Sequence, residues 1–261
     1  DLSANDVAGC MPLLAGVYYR NARGVVDQVE VKGVRVAGAP QCESGVGIYV
    51  ESGDFGSQFG LPAKTRAVVK ILKAAGVSFG VMPEERCHAE VGRRLGEEYL
   101  YQTVQQENIE AITHYRFRKV ITHCPHCFNT IKNEFPQFGG TYEVLHHSQV
   151  IEQLIADGRI KPTKPLDATL AFHDSCYLGR YNGITEAPRN VAKSVPGLRV
   201  IELPRNRERG LCCGGGGGHM WMEVKAEKRV NLIRVEEALE AKVDLVGTGC
   251  PFCLAMIDLG R

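Results

Sequence analysis

The sequence predicts an α/β protein of two pseudo-symmetric lobes, made by tandem duplication, with mostly parallel sheets flanked by helices. Three observations predict it. Short apolar runs alternate with segments whose apolar residues recur at helical spacing, as strand–helix–strand units require. Landmark residues of the first half recur in the second, Cys87 as Cys212 and Cys124 as Cys250, an offset of roughly 125 residues. The 261 residues, 44% hydrophobic and 23% charged, suffice to bury a core.

Taken in order, residues 1–46 are Gly- and Val-rich, hold Cys10 and Cys42 in no recognisable spacing, and stay unassigned. Residues 48–50 read as a strand. Residues 64–75 read as a helix, with Val68, Ile71, Leu72 and Ala75 on one face and Gly76 as its stop. A strand at 77–82, one long helix or two over 91–113, a strand at 119–122, a helix at 126–134 and a strand at 142–145 complete the first unit, 47–160. Residues 161–167, with Pro162 and Pro165, form the linker. The second unit, 168–261, starts over. It has strands at 168–172, 198–203 and 243–246, a helix at 187–194, and a long helix at 220–241 opened by Met220 and Trp221 as core residues.

Charge excludes one class of partner. Lys plus Arg number 31 against 30 Asp plus Glu, so the net charge is +1 and no nucleic-acid partner is expected. The longest uncharged run near the start, residues 7–19, is too short to span a bilayer. No charged segment precedes an apolar core, so no signal peptide is expected and the expected location is cytoplasmic. The chain starts at Asp1 rather than Met, as a processed chain or part of a longer polypeptide would.

Ten cysteines are the strongest compositional signal. Eight of them sit in CxxC, CC or single positions at long regular intervals, which a disulfide framework does not demand; metal or cluster ligation in a reducing compartment does. In the second half Cys176 is followed after 35 residues by Cys212-Cys213-Gly214, and after 36 more by Cys250-Pro251-Phe252-Cys253. In the first half Ser52 is followed after 34 residues by Cys87-His88-Ala89, and after 35 more by Cys124-Pro125-His126-Cys127. The cysteines follow predicted strands, and parallel sheets bind ligands beyond the carboxyl ends of their strands. Five thiols from three loops therefore converge on one crevice of the second lobe. Thiolates are the ligands of iron–sulfur clusters, four suffice for a cubane, and the CPxC turn brings two to the same cluster. Gly214 to Gly218 expose backbone N–H groups that can approach sulfides. Zinc is an alternative, although five cysteines exceed its tetrahedral need; buried structural thiols are another. A phosphate loop is excluded, because no Lys-Ser/Thr follows the glycines and His219 ends the run.

The segments CPHCFNTIKNEFP (124–136), YEVLHHSQ (142–149), HDSCYLGRYNG (173–183), RERGLCCGGGGGHMW (207–221) and CPFCLAMI (250–257) resemble the CCG, or cysteine-rich, domain. That domain occurs in heterodisulfide reductase and in the iron–sulfur subunits of glycolate oxidase and anaerobic glycerol-3-phosphate dehydrogenase. The closer resemblance is to membrane-associated iron–sulfur oxidoreductases that take electrons from electron-transfer flavoprotein to quinone. It covers residues 48–257. The resemblance implies that Cys176, Cys212, Cys213, Cys250 and Cys253 ligate a [4Fe–4S]-type centre. In the electron-transfer branch that centre is a relay; in the heterodisulfide branch it is a noncubane assembly that attacks disulfides. The resemblance further implies a flavoprotein donor and ferredoxin-like and membrane or quinone-binding partners. Neither ferredoxin-like cysteines nor a membrane domain occurs here, so the chain would be the redox half, peripheral to a membrane. A zinc-stabilised, non-redox binding module is the remaining rival.

The first half departs from the pattern. Ser52 stands where a cysteine is expected, His88 where the second cysteine of CCG would be, and Ala89 in place of glycine. Cys87, His88, Cys124 and Cys127 would suit zinc. The three cysteines with Ser52, His88 or solvent would suit a second cluster with one labile iron. An empty site, with the half acting as scaffold alone, is the third outcome left open. His146, His147 and His173 near strand ends read as satisfied structural histidines before ligands. His123 and His126 flank Cys124, and Asp174 orients the Cys176 loop or caps a helix. Arg180, Arg205, Arg207 and Arg209 read as a solvated basic face, with docking of an acidic flavoprotein as the sharper reading. No hydrolytic triad or paired-carboxylate arrangement stands out.

Overall fold

The computed structural model describes residues 61–81, 87–115, 119–222 and 228–260, together with strands at 18–20, 26–28 and 46–49. Cys10, Cys42 and Ser52 lie outside the described residues. Strands β1 (Tyr18–Arg20) and β2 (Val26–Gln28) pair antiparallel, an element that the sequence pattern does not announce.

The first lobe is built on a parallel sheet of four strands: β3 (Val46–Tyr49), β4 (Gly80–Val81), β5 (Lys119–Thr122) and β6 (Glu143–His146), in the order β4-β3-β5-β6. The second lobe has β7 (Ala168–His173), β8 (Leu198–Ile201) and β9 (Leu245–Thr248), parallel, in the order β8-β7-β9. The first strand of each lobe is therefore central, with the second and third on either side. That shared order is the duplication written in topology, and it makes the α/β, two-lobed expectation a finding.

Helix α1 (Leu61–Ala74) buries Val68, Val69 and Leu72 against Phe79, Ile121 and Leu154. Each such aliphatic burial is worth about 2 kcal/mol. Ile71, expected on that face, is only half-buried, while Val69 is fully buried. The segment at 91–113 resolves into α2 (Glu90–Arg94) and α3 (Glu98–His114), separated by Gly96 at φ +95°. The helix expected at 126–134 is composite. Helix α4 (Pro125–Asn129) widens into a π-turn (Thr130–Glu134) and tightens into a 3₁₀ turn (Phe135–Phe138). Pro136 has no N–H to continue the α-helical ladder, which forces the change of pitch. Helix α5 (His147–Ala156), absent from the sequence expectation, packs against α7 (Glu186–Lys193) of the second lobe. The second lobe adds the short α6 (Cys176–Gly179), α8 (Val230–Glu240) and α9 (Pro251–Asp258).

One expectation fails clearly. No helix begins at Met220: residues 219–221 form a single 3₁₀ turn, Met222 is extended, and α8 starts only at Val230. Gly218, at φ +80°, turns the chain before the 3₁₀ turn. Met220 does pack on the core, but Trp221 is half exposed and touches Phe252 only edge-on, so it is not a core residue.

The main core runs between the lobes. Cys124, Cys127, Phe128 and Ile131 from the first lobe share it with Leu178, Cys213, Cys250, Phe252, Cys253 and Met256 from the second. The thiols are thus gathered at the seam.

The duplication persists in backbone detail. Gly214 has φ +81° and its N–H donates to Cys212 Sγ at 3.3 Å. Ala89 has φ +50° and its N–H donates to Cys87 Sγ at 3.4 Å. Both loops keep one left-handed turn, although only one kept its glycine. A left-handed alanine costs about 1–2 kcal/mol, partly offset by the greater unfolded-state freedom of glycine. Ala89→Gly is therefore expected to stabilise the apoprotein by about 0.5–1 kcal/mol in urea denaturation; a loss of stability would contradict this account of the turn.

Candidate metal centre

Each CPxC motif sits at a helix start for a local reason. Cys250 is the extended N-cap of α9 (φ −126°, ψ 129°) and Pro251 occupies the first helical position, where a missing N–H costs nothing. Cys253 follows within the first turn. Cys124 repeats this at α4 (φ −115°, ψ 123°), with Pro125 next and Cys127 one turn on. β7 and β9 run in register to His173 and Thr248, so Cys176 and Cys250 leave the same sheet edge. The longer connection from β8 brings Cys212-Cys213 over it.

The structure brings Cys176, Cys212, Cys213, Cys250 and Cys253 together. Cys176 lies beside Cys212, Cys212 beside Cys213, Cys213 beside Cys253, and Cys253 beside Cys250. None of the eight described cysteines is in a disulfide. Cys213, Cys250 and Cys253 are buried. Cys176 and Cys212 are half-buried and open onto a cavity of about 450 Å³ that is also lined by Arg180, Gly214 and Arg229. Cys124 of the first lobe extends the run by contacting Cys250. Cys87 is exposed. Among the described residues, the group of three potential ligands whose donor atoms all lie within 4.8 Å of one another is His173, Cys213 and Cys253; Cys87, His88, Cys124 and Cys127 do not form such a group.

The electrostatics suit a cationic core. Hydrogen bonds from Cys176 and Cys213 hold the Cys212 thiol far below the usual range. Its partners move the other way: Cys176 is pushed up by its bond to Cys212 and by burial, and Cys213 is pushed up to about 12, first by Cys212. Burial pushes Cys250 up, but bonds from Cys124, Cys253 and His126 outweigh it and hold that thiol low. Cys253 is raised by Cys213 and Cys250. The two lowered thiols, Cys212 and Cys250, each lie beside raised ones, because neighbouring sulfurs share protons. An iron–sulfur core would take the place of those protons. The backbone leaves little room for side chains beside the sulfurs: a Cβ on Gly215 would fall 2.7 Å from Met256 Cγ, and one on Gly214 3.3 Å from Val230 Cβ. The donor set and the glycine cradle fit a thiolate-held cluster.

Two networks position these loops. Arg189 is wholly buried and grips Asp174 through Nη1 and Nη2 at 2.6 and 2.8 Å, and Glu202 at 2.7 and 2.8 Å. Asp174 also accepts from the Arg207 backbone N–H at 2.6 Å, which ties the Cys176 loop to the loop leading to Cys212. Arg180 donates to the Gly210 carbonyl at 2.6 Å. Arg205 pairs with Glu237 and Arg207 with Glu186, so much of the expected solvated basic face is internally paired. The second network crosses the lobes. His126 is buried, with Nδ1 at 3.0 Å from Glu90, its ring stacked on Phe252 at 4.2 Å, and a hydrogen bond to Cys250. Glu90 also accepts from Tyr177 at 2.6 Å and from Arg94 at 3.1 Å.

The other histidines divide. His146 bonds Ser148 and, through Nε2, the Gly249 carbonyl at 3.3 Å, so it is a structural tie between lobes. His123 is buried beside Cys124. Burial, then the Arg234 charge, lowers His173 to about 4, so its ring is neutral. Sequence reasoning missed Glu90, Arg189 and Arg234. The Glu90–His126, Asp174–Arg189 and His173–Arg234 contacts span 36, 15 and 61 residues and leave no local pattern to read.

An α/β scaffold that collects free thiols beyond the strand ends of two repeated lobes is the architecture of a redox-centre domain. The cysteine-rich domain family, CCG, matches residues 56–132 and 170–258, and this chain belongs to it. It is 46% identical over 202 residues to an EtfAB:quinone oxidoreductase of Syntrophomonas wolfei, covering 74% of this chain and 28% of that protein. It is 43% identical over 192 residues to the probable iron-sulfur-binding oxidoreductase FadF of Bacillus subtilis, covering 73% and 27%. One of the polypeptides of the dihydromethanophenazine:CoB–CoM heterodisulfide reductase of Methanosarcina barkeri is 32% identical over 202 residues, covering 75% and 49%. The chain thus spans between about a quarter and a half of the length of these relatives. No helix among the described residues is long and apolar enough to cross a membrane.

Proposed function

We propose that this chain is the iron–sulfur electron-transfer part of an oxidoreductase, taking electrons from a flavoprotein and passing them toward a quinone or similar acceptor. One [4Fe–4S]-type cluster, held by thiolates among Cys176, Cys212, Cys213, Cys250 and Cys253, would supply reversible one-electron storage. The run of five thiols, each beside the next and none in a disulfide, supports this reading. The protein's part is to hold the sulfurs, donate from Gly214 N–H to Cys212, and keep water from the Cys213–Cys253 side. The half-exposed Cys176–Cys212 edge is where electrons enter or leave, beside Arg180 and Arg229, which suit an acidic partner face. Its setting is cytoplasmic, peripheral to a membrane complex with ferredoxin-like and quinone-binding parts. The first lobe serves as scaffold: its Cys87 is exposed and its Cys124 faces Cys250.

Anaerobic iron, sulfide and zinc analysis tests this. Wild type is expected to hold iron and sulfide in equal amounts, Cys213→Ser to lose most of both, and Cys87→Ser to keep them. Zinc without iron in wild type overturns the cluster; loss of half the iron in Cys87→Ser overturns the single centre.

A second reading is favoured by the fifth thiol, one more than a cubane needs: a noncubane centre that cleaves disulfides. The heterodisulfide reductase relative supports it. An oxidised-state EPR signal that changes on adding a thiol substrate would select this reading, whereas reduction by a flavoprotein with a thiol-insensitive signal selects the relay.

A further inference from the structure

His173 ends β7 with its side chain wholly buried. Arg234, 1% exposed, donates from Nε to His173 Nδ1 at 2.9 Å. A guanidinium offers only donors, so Nδ1 must accept, and a neutral imidazole then keeps its proton on Nε2. Arg234 is held in that pose by bonds from Nη1 to the Arg205 carbonyl at 2.9 Å and to Glu237 at 2.6 Å. The other ring nitrogen, Nε2, is buried and meets no hydrogen-bond partner among the described residues. Leaving such a group unmet is unfavourable, because it has given up its hydrogen bonds to water. The ring also lies among sulfurs: one nitrogen of His173 and the Sγ atoms of Cys213 and Cys253 are all within 4.8 Å of one another.

By distance alone, His173, Cys213 and Cys253 look like a mixed metal-ligand set. The tautomer argues otherwise. A ligating nitrogen must offer a lone pair, and the Arg234 bond leaves a proton on Nε2.

We infer that Arg234 locks His173 in the Nε2–H tautomer, so that His173 is a hydrogen-bond donor to the sulfurs of the centre and not a metal ligand. The inference rests on the cluster site proposed above. Its consequence is directional. An N–H···S bond stabilises the more negatively charged, reduced centre and so raises its potential. The orphaned donor of the apoprotein finds its acceptor when the centre is in place. His173 touches the centre in this scheme, and Arg234, acting through it, is the positioning residue.

Two measurements test it. In the wild-type apoprotein, ¹⁵N NMR of His173 is expected to show the Nε2–H tautomer, and Arg234→Met is expected to admit the Nδ1–H form. An Nδ1–H tautomer in wild type, or no change in Arg234→Met, overturns the lock. In the anaerobically loaded chain, an exchangeable proton coupled to the centre is expected by ENDOR, lost in His173→Leu and regained in His173→Gln, which restores an N–H. In His173→Leu the oxidised-to-reduced ratio at fixed ambient potential is expected to rise about tenfold, about 59 mV for a one-electron couple. Strong coupling to a directly bound nitrogen in wild type, or an unchanged potential in His173→Leu, overturns the donor role. If His173→Leu fails to fold, wild type carrying ¹⁵N-labelled histidine still decides: weak coupling to the ring nitrogen supports the donor role, and strong coupling overturns it. A wild-type chain that takes up no iron overturns the proposed function, while the apoprotein tautomer separately decides the Arg234 lock.

Discussion

Replacing Arg189 by methionine is expected to cost the apoprotein about 4 kcal/mol, the largest single effect outside the cysteines. Arg189 is wholly buried and Asp174 nearly so, and the pair is bidentate at 2.6 and 2.8 Å. Removing one partner strands the other charge in a site that water cannot reach, which costs about 3–5 kcal/mol. The guanidinium also satisfies Glu202 and the Thr185 carbonyl, so lysine, with no planar fork, cannot replace it. Because Asp174 also holds the Arg207 backbone, the Cys176 and Cys212 loops should loosen together, and cluster uptake should fall with stability. Urea denaturation and iron content are the readouts. Asp174→Asn in the Arg189→Met background should recover part of the loss, since it removes the stranded charge. A cost below about 1 kcal/mol would show that the network contributes little.

Glu90→Gln should be the next largest, and its effect should vanish in acid. Burial opposes ionisation of Glu90, but bonds and charge from His126, with the Tyr177 hydroxyl, outweigh it and bring the carboxyl down to about 2. A folded value below the unfolded one of about 4.5 means that the ionised group stabilises the fold above pH 4.5. That stability is lost as pH falls toward 2. The interval corresponds to about 3 kcal/mol at neutral pH. Wild type should therefore exceed Glu90→Gln by about that amount in urea denaturation at pH 7, and the gap should narrow steadily below pH 4.5. A gap that persists unchanged at pH 2.5 would assign the effect to packing instead of charge.

Much of the site was legible because its parts are local. A CPxC motif is a helix N-cap followed by a proline at the first helical position, and both copies adopt that geometry. The CCG turn needs a left-handed residue, and its degenerate copy at Ala89 could be aligned before any coordinates. What was misread had a physical cause as well. Apolar residues after the glycine run mimic helical spacing, but Gly218 turns the chain and α8 begins only at Val230. The segment at 126–134, read as one helix, does begin helical, and Pro136 broke the ladder from downstream.

The chain's own order of residues determined the duplication, the strand–helix alternation and which sulfurs lie near one another along each loop, because those follow from backbone propensities over a few residues. Only the tertiary structure decided that the two lobes share a core, that Cys124 and His126 meet Cys250 across the seam, and that Arg234 orients His173. Such contacts join residues dozens of positions apart, and their energy depends on burial and on the direction of a donor or lone pair, neither of which exists until the chain has folded.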